Sequence, residues 1–197
     1  MTQHNINRRA LSSDGYIINQ RLLKNLPYGM KQSNYNGCGW IAAYNFLRAC
    51  GRKKDWDTVR QQLEDSLILG GLLGTHIVQM YLYLRRHGFH LHWAVGRKAA
   101  RPYAEGCKAG VLFYFNGAAL HFVTFLPATE AEVEQFAAAE QAEESAEALA
   151  AEKPIQAQWY RFLNGKMGAQ RDYATMEDFL ERESQMPVFV QITTAER

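Results

Sequence analysis

The sequence predicts an α+β domain in which an N-terminal helical layer packs on an antiparallel β-sheet. Three observations carry this prediction. Helical periodicity dominates residues 39 to 88, and alternating or continuous apolar runs replace it after residue 89. Neither serial βαβ units nor a G-x-G-x-x-G or G-x-x-x-x-G-K-[ST] loop occurs, which argues against a nucleotide-binding fold. A chain of 197 residues with 47% hydrophobic content can bury one good core. Residues 1–197 are therefore read as a single domain, with a lead-in over 1–30 and a helical insertion over 129–153.

The lead-in is polar and turn-rich, with short apolar groups at Tyr16 to Ile18 and Leu22 to Leu26. A first helix over 39–49 follows, with Trp40, Tyr44 and Leu47 on one face. A second starts at Asp55 or Asp57 as N-cap and repeats Trp56, Val59, Leu63 and Leu67 at helical spacing. A third runs from about Thr75 to Gly88 and buries Ile77, Met80, Tyr81 and Leu84. Between them, Gly70-Gly71 and Gly74 read as a loop.

The period then changes. Phe89, Leu91, Trp93 and Val95 alternate with His90, His92 and Ala94, as expected of a half-buried strand with the large residues inward. Val111 to Phe115, Asn116-Gly117 and Leu120 to Leu126 predict a hairpin or two adjacent antiparallel strands. The Ala/Glu-rich stretch 129–153 has strong helix propensity but few large apolar residues after Phe136, so it predicts an exposed helix inserted between strands. A strand over Gln158 to Leu163 leads to Asn164-Gly165. Thr175 and Asp178 have capping-box spacing at the start of a last helix, and Pro187 to Thr193 predicts the final strand.

Charge and cysteine content bound the function. The net charge of +2 conceals eight glutamates against one lysine within 129–153, so that segment carries −7 and the remainder +9. A basic body attracts anions, yet no aromatic-basic stripe or zinc-finger spacing accompanies it, which argues against nucleic acid as the main partner. Three cysteines without a disulfide framework and a start lacking an apolar signal region lead us to expect a cytoplasmic setting. No apolar run is long enough to span a membrane.

Cys38 is the most informative residue. Turn-forming residues precede it in Lys31-Gln32-Ser33-Asn34-Tyr35-Asn36-Gly37, and a helical pattern follows at once. The sulfur is thus expected near the first turn of a helix, where unpaired N–H groups favour thiolate over thiol. Cys50 stands at the opposite helix end, and Cys107 has no visible activating neighbour. A nucleophilic thiol needs a base. Of the six histidines, His4 lies in the polar start, while His76 and His87 lie at the two ends of one helix. His90 and His92 share a strand face without matching further ligands, so no metal is expected. His121 opens a strongly apolar strand, where it is either a satisfied core histidine or the base.

Gln32 six residues before Cys38, a helix starting at the cysteine and a later His121 opening a strand resemble papain-like cysteine peptidases. Within that arrangement Asn36-Gly37-Cys38-Gly39 is more similar to the bacterial branch that includes double-glycine leader peptidases. The resemblance covers residues from about 28 to 165 in element order and matches in letters only over short motifs. It implies a papain-like fold, no cofactor, Cys38 as nucleophile and His121 as general base. It further implies that Gln32, with the Cys38 N–H, donates to the oxyanion and that Asn164 orients the imidazole. As a residue, Asn164 is equally a turn former. The chain departs from the family in three ways. Trp40 falls one place later than in the papain signature, Asn164-Gly165 replaces the Asp-Pro of the leader peptidases, and no membrane transporter is attached, which implies a standalone enzyme.

The expected function is hydrolysis of a peptide or isopeptide bond in a peptide or protein substrate through an acyl-enzyme. Acyl transfer to an amine, as in transglutaminases, and a non-catalytic binding module are the alternatives. Trp40, Tyr35 and the Gly70 to Gly74 loop are the expected cleft walls.

Overall fold

The computed structural model describes residues 5–143, 158–165, 173–184 and 189–195. The lead-in is ordered by polar contacts. It forms two 3-10 turns, Arg8–Ala10 and Gln20–Leu22, and a short hairpin of β1 (Pro27–Tyr28) and β2 (Lys31–Gln32). One helical turn, α1 (Ser33–Asn36), passes through Gly37 into α2 (Cys38–Ala49), and Gly37 itself is right-handed helical at φ −75° and ψ −6°. Every residue from Cys38 to Leu47 is buried. Gly39 is required where α2 passes Thr75, since a Cβ there would collide with the threonine side chain.

Helix α3 (Trp56–Glu64) is capped by Asp55, whose carboxylate accepts from the Thr58 N–H at 3.0 Å. Helix α4 (Ile77–Arg86) is capped by His76, whose Nδ1 accepts from the Val78 N–H at 3.2 Å. Both pack beside α2, burying Val59, Leu63, Met80 and Leu84. Next come β3 (Leu91–Val95), α5 (Arg97–Glu105), β4 (Gly110–Phe115), β5 (Leu120–Pro127) and α6 (Glu130–Glu143). The chain continues with β6 (Trp159–Leu163), β7 (Tyr173–Thr175), α7 (Met176–Glu183) and β8 (Val190–Thr194). Among the described residues the long strands form one antiparallel sheet in the order β3-β8-β4-β5-β6-β7.

The α+β class and the antiparallel sheet agree with expectation, but the layering is richer. Two segregated layers were predicted, whereas helices cover both faces of the sheet. Helices α2, α3 and α4 share one core with Val111, Phe122 and Ile192, while α5 and α7 share a second with Leu112, Tyr114, Val123 and Phe125. The cause lies in β4, where Val111 and Leu112 point to opposite faces and are both fully buried, so each face needs a cover. Helix α5 is the cover that the sequence did not reveal. It contains Pro102 and buries only Ala100 and Ala104, so it carries no large apolar stripe.

Strand β3 is half-buried, with Leu91 and the preceding Phe89 packed against the α2 core, but its last residues depart from the expected pattern. Trp93 and Val95 are exposed and Ala94 is buried, because β3 is an edge strand whose inner position lies under α5 and admits only a small side chain. Trp93 instead meets Tyr81 edge-on at 5.5 Å. The β4–β5 hairpin closes as predicted, with Phe115 opposite Leu120 and Asn116 Oδ1 accepting from the N–H groups of Ala118 and Ala119. Helix α6 opens on a reciprocal capping box between Thr129 and Glu132. Residues 144–153 of the expected insertion lie outside the described residues, as do His4 and Pro187.

Asn45 joins the lead-in to α2. Its Oδ1 accepts from the Ile17 N–H at 2.9 Å and its Nδ2 donates to the Ile17 carbonyl at 2.8 Å, with both residues fully buried. Removing this amide strands two buried backbone groups. Asn45→Ala is expected to lower stability on the order of 2 kcal/mol, read as a shifted urea midpoint with an unchanged slope.

Candidate active site

Cys38 is the first residue of α2, and its sulfur lies against β5. Strand β6 pairs with β5 as far as Thr124 opposite Leu163. Two residues back along β5, the N–H of Phe122 faces the Cys38 sulfur. The N–H groups of Gly39 and of Cys38 itself also face it, as the start of a helix requires. On the α2 side of the strand, Thr124 Oγ1 donates to the Ala42 carbonyl at 2.8 Å and holds helix and strand in register. The thiol therefore sits next to the amide that follows His121 in the chain.

His121 is the second residue of β5, opposite Tyr114 of β4, whose ring it meets edge-on at 5.8 Å. Its Nε2 lies 2.8 Å from the backbone carbonyl of Asn164. A carbonyl only accepts, so Nε2 carries the proton and Nδ1 is left as the basic nitrogen. Asn164 thus reaches His121, but through its main chain. Its side chain is turned away, with Oδ1 accepting from the Gln20 N–H at 2.9 Å and Nδ2 donating to Gln20 Oε1 at 3.1 Å. Asn164 adopts φ 69°, a left-handed conformation that ends β6 and aims the carbonyl.

A cavity of about 160 Å³ adjoins the imidazole, lined among others by Gln20, Asn34, Asn116, His121, Asn164 and Gly165. Asn34 precedes Cys38 by one helical turn, and its side-chain oxygen is buried without a partner. Sequence reasoning missed this residue. The signal was the i, i+4 spacing to Cys38, legible only once α1 is known to run on through Gly37.

Gln32 is placed differently from the expectation. It is exposed on β2, and its carboxamide nitrogen, oriented by its hydrogen-bond partners, faces the carbonyls of Leu26 and Lys24 at 3.2 and 3.3 Å. The amide that was to meet an oxyanion instead braces the lead-in. Trp40 is not a cleft wall either. It is fully buried, donates from Nε1 to Ser33 Oγ at 3.1 Å, and packs on Trp56. Tyr35 is exposed, as are Met30, Leu69, Leu72 and Leu73 around the glycine loop.

The electrostatics also differ from the expected thiolate. Burial pushes the Cys38 thiol up to about 11, although the three N–H groups pull the other way. Burial likewise lowers the His121 pKa, partly countered by the Asn164 carbonyl that accepts from its ring. Near neutral pH the Cys38 thiol is therefore protonated and the His121 imidazole neutral, and neither group is among the causes that shift the other. The helix start does favour thiolate, but the desolvation of a side chain only 6% exposed outweighs it. Cys50 and Cys107 are also free, and Cys107 donates to the Ala104 carbonyl at 3.3 Å.

Among the described residues no helix is long and apolar enough to cross a membrane. No known protein family, no curated protein and no solved structure matches the chain.

Two pH dependences follow from these shifts. Alkylation of Cys38 by iodoacetamide in the folded protein is expected to be slow near neutrality and to climb as pH rises toward about 11, as peptide mapping of the modified chain checks. The histidine acts on stability. Its folded pKa is lowered, so its contribution is complete above its ordinary value and is lost as pH falls through the folded value. Unfolding in acid then takes up a proton, and urea midpoints should fall more steeply with acid for the native chain than for His121→Gln.

Proposed function

We propose that this protein is a papain-like thiol hydrolase that cleaves a peptide or isopeptide bond through an acyl-enzyme. The observation that carries the reading is the placement of the Cys38 sulfur, at the start of α2, beside the strand that carries His121. The Cys38 sulfur lies against the Phe122 amide, and the adjacent His121 has its Nε2 proton committed to the Asn164 carbonyl. That arrangement supports Cys38 as nucleophile and His121 Nδ1 as base, with the Asn164 main chain in place of an orienting side chain.

In the reaction the Cys38 thiol gives its proton to His121 Nδ1 as sulfur bonds to the substrate carbonyl carbon. A neutral resting pair suits this sequence, because charge separates only when the substrate is in place. The oxyanion takes a hydrogen bond from the Cys38 N–H at the start of α2 and a second from a side-chain amide. Asn34 fits that second role better than Gln32, since it borders the imidazole cavity, whereas the Gln32 carboxamide nitrogen is engaged by the Leu26 and Lys24 carbonyls. His121 then returns the proton to the leaving amine as the C–N bond breaks. Water, deprotonated by the same nitrogen, releases the acid and restores the thiol.

A peptide or protein is the proposed substrate. A cytoplasmic, reducing setting suits a mechanism that needs Cys38 as a free thiol.

With an activity-selected peptide or isopeptide substrate, Cys38→Ala and His121→Ala are each expected to lower kcat by roughly three or more orders of magnitude. Asn34→Ala is expected to cost about a hundredfold in kcat and Gln32→Ala far less. Full turnover by Cys38→Ala would end the reading, and mass spectrometry of products formed with added amine separates hydrolysis from acyl transfer.

A further inference from the structure

Asn164 is held by a residue far away in the chain. Gln20 forms two hydrogen bonds to its carboxamide, at 2.9 Å from the backbone N–H and 3.1 Å to Oε1, and Asn164 is only 3% exposed. The remaining end of Gln20, Nε2, donates to the Asn34 carbonyl at 3.4 Å. One side chain thereby links the helical wall, at Asn34, to the sheet wall, at Asn164. Gln20 has little freedom of its own. It opens a 3-10 turn in which Asn19 Oδ1 accepts from the Arg21 N–H at 3.2 Å, and the segment is anchored by the fully buried Ile17 before it and by Leu23 after it.

The consequence concerns a peptide plane. A left-handed non-glycine residue followed by Gly165 can relieve itself by rotating the plane between them, which would swing the carbonyl away from His121. The grip on the Asn164 side chain opposes that rotation. We infer that Gln20 is a positioning residue for His121: by clamping Asn164 it holds the carbonyl that keeps the imidazole in the Nε2–H form with Nδ1 free. Its bearing on catalysis rests on the thiol-hydrolase reading, while the clamp itself rests on geometry alone. The apparent sequence signal, an Asn-Gly turn, concealed a three-residue relay from the lead-in through a main-chain acceptor to the base.

The test is the imidazole tautomer of His121 in the full chain labelled with ¹⁵N-histidine, read by long-range proton–nitrogen correlation near neutral pH. The native chain is expected to show the Nε2–H form alone, with that ring proton protected from exchange. Gln20→Met keeps the length and removes both side-chain bonds, so a mixture of tautomers and loss of the protected proton are expected. Gln20→Glu keeps the acceptor for Asn164 Nδ2 and the backbone donor, and should restore the single form. A Met variant with the native tautomer and native protection overturns the inference, as does a Glu variant scrambled like Met.

If Gln20→Met fails to fold, Asn164→Gly carries the same test. It keeps the carbonyl and tolerates the left-handed backbone but abolishes the clamp, so a native tautomer there is equally fatal. The two readings fail separately. Scrambling in Gln20→Met together with full turnover by Cys38→Ala would leave the clamp standing and end the hydrolase, and an undisturbed tautomer would do the reverse.

Discussion

Helix α2 is buried on all sides, and the positions of the other parts follow from what is needed to cover it. Trp40, Ile41, Phe46 and Leu47 are each 0–1% exposed, and burial of such side chains stabilises by roughly 1.5–3 kcal/mol apiece. The sheet covers one side of the helix through β5, α3 and α4 cover another, and the lead-in closes the remainder through Asn45 and Ile17. A helix enclosed in this way cannot shift, and its first residue is Cys38.

The same enclosure sets the chemistry of the thiol. An exposed cysteine at a helix start would ionise readily, whereas one desolvated by burial stays protonated even with the Phe122 amide facing it. Burial moves cysteine and histidine pKa values in opposite directions, and in both cases it favours the neutral form. Both groups are thereby kept uncharged near neutral pH. The Asn164 carbonyl fits this neutral state well, because a dipole orients the ring without adding a charge that would favour imidazolium as strongly as a carboxylate.

Much of the local architecture was legible because it is encoded within a few residues. The Asp55 and Thr175 caps, the Asn116-Gly117 hairpin and the start of α2 at Cys38 all depend on contacts within one turn of chain. The second helical layer was less legible, since Ala100 and Ala104 are small and signal no face of their own. The exposure of Trp93 and Val95 in β3 was hidden for a related reason. Alternation reveals that a strand has two faces, but an edge position beneath α5 decides which of them is interior.

The candidate site divides along the same line. By itself the sequence determined that a cysteine opens a helix with an apolar face, that a histidine lies at the start of an apolar strand and that an Asn-Gly pair ends the next one, because periodicity and turn chemistry act over short separations. Only the tertiary structure decided that Gln32 braces Lys24 and Leu26, that Asn34 borders the cavity and that Asn164 acts through its carbonyl while Gln20 holds its side chain. Those assignments depend on which hydrogen-bonding group lies within about 3 Å of which other. For groups 144 positions apart, such as Gln20 and Asn164, that distance is a property of the packed chain and not of any segment of it.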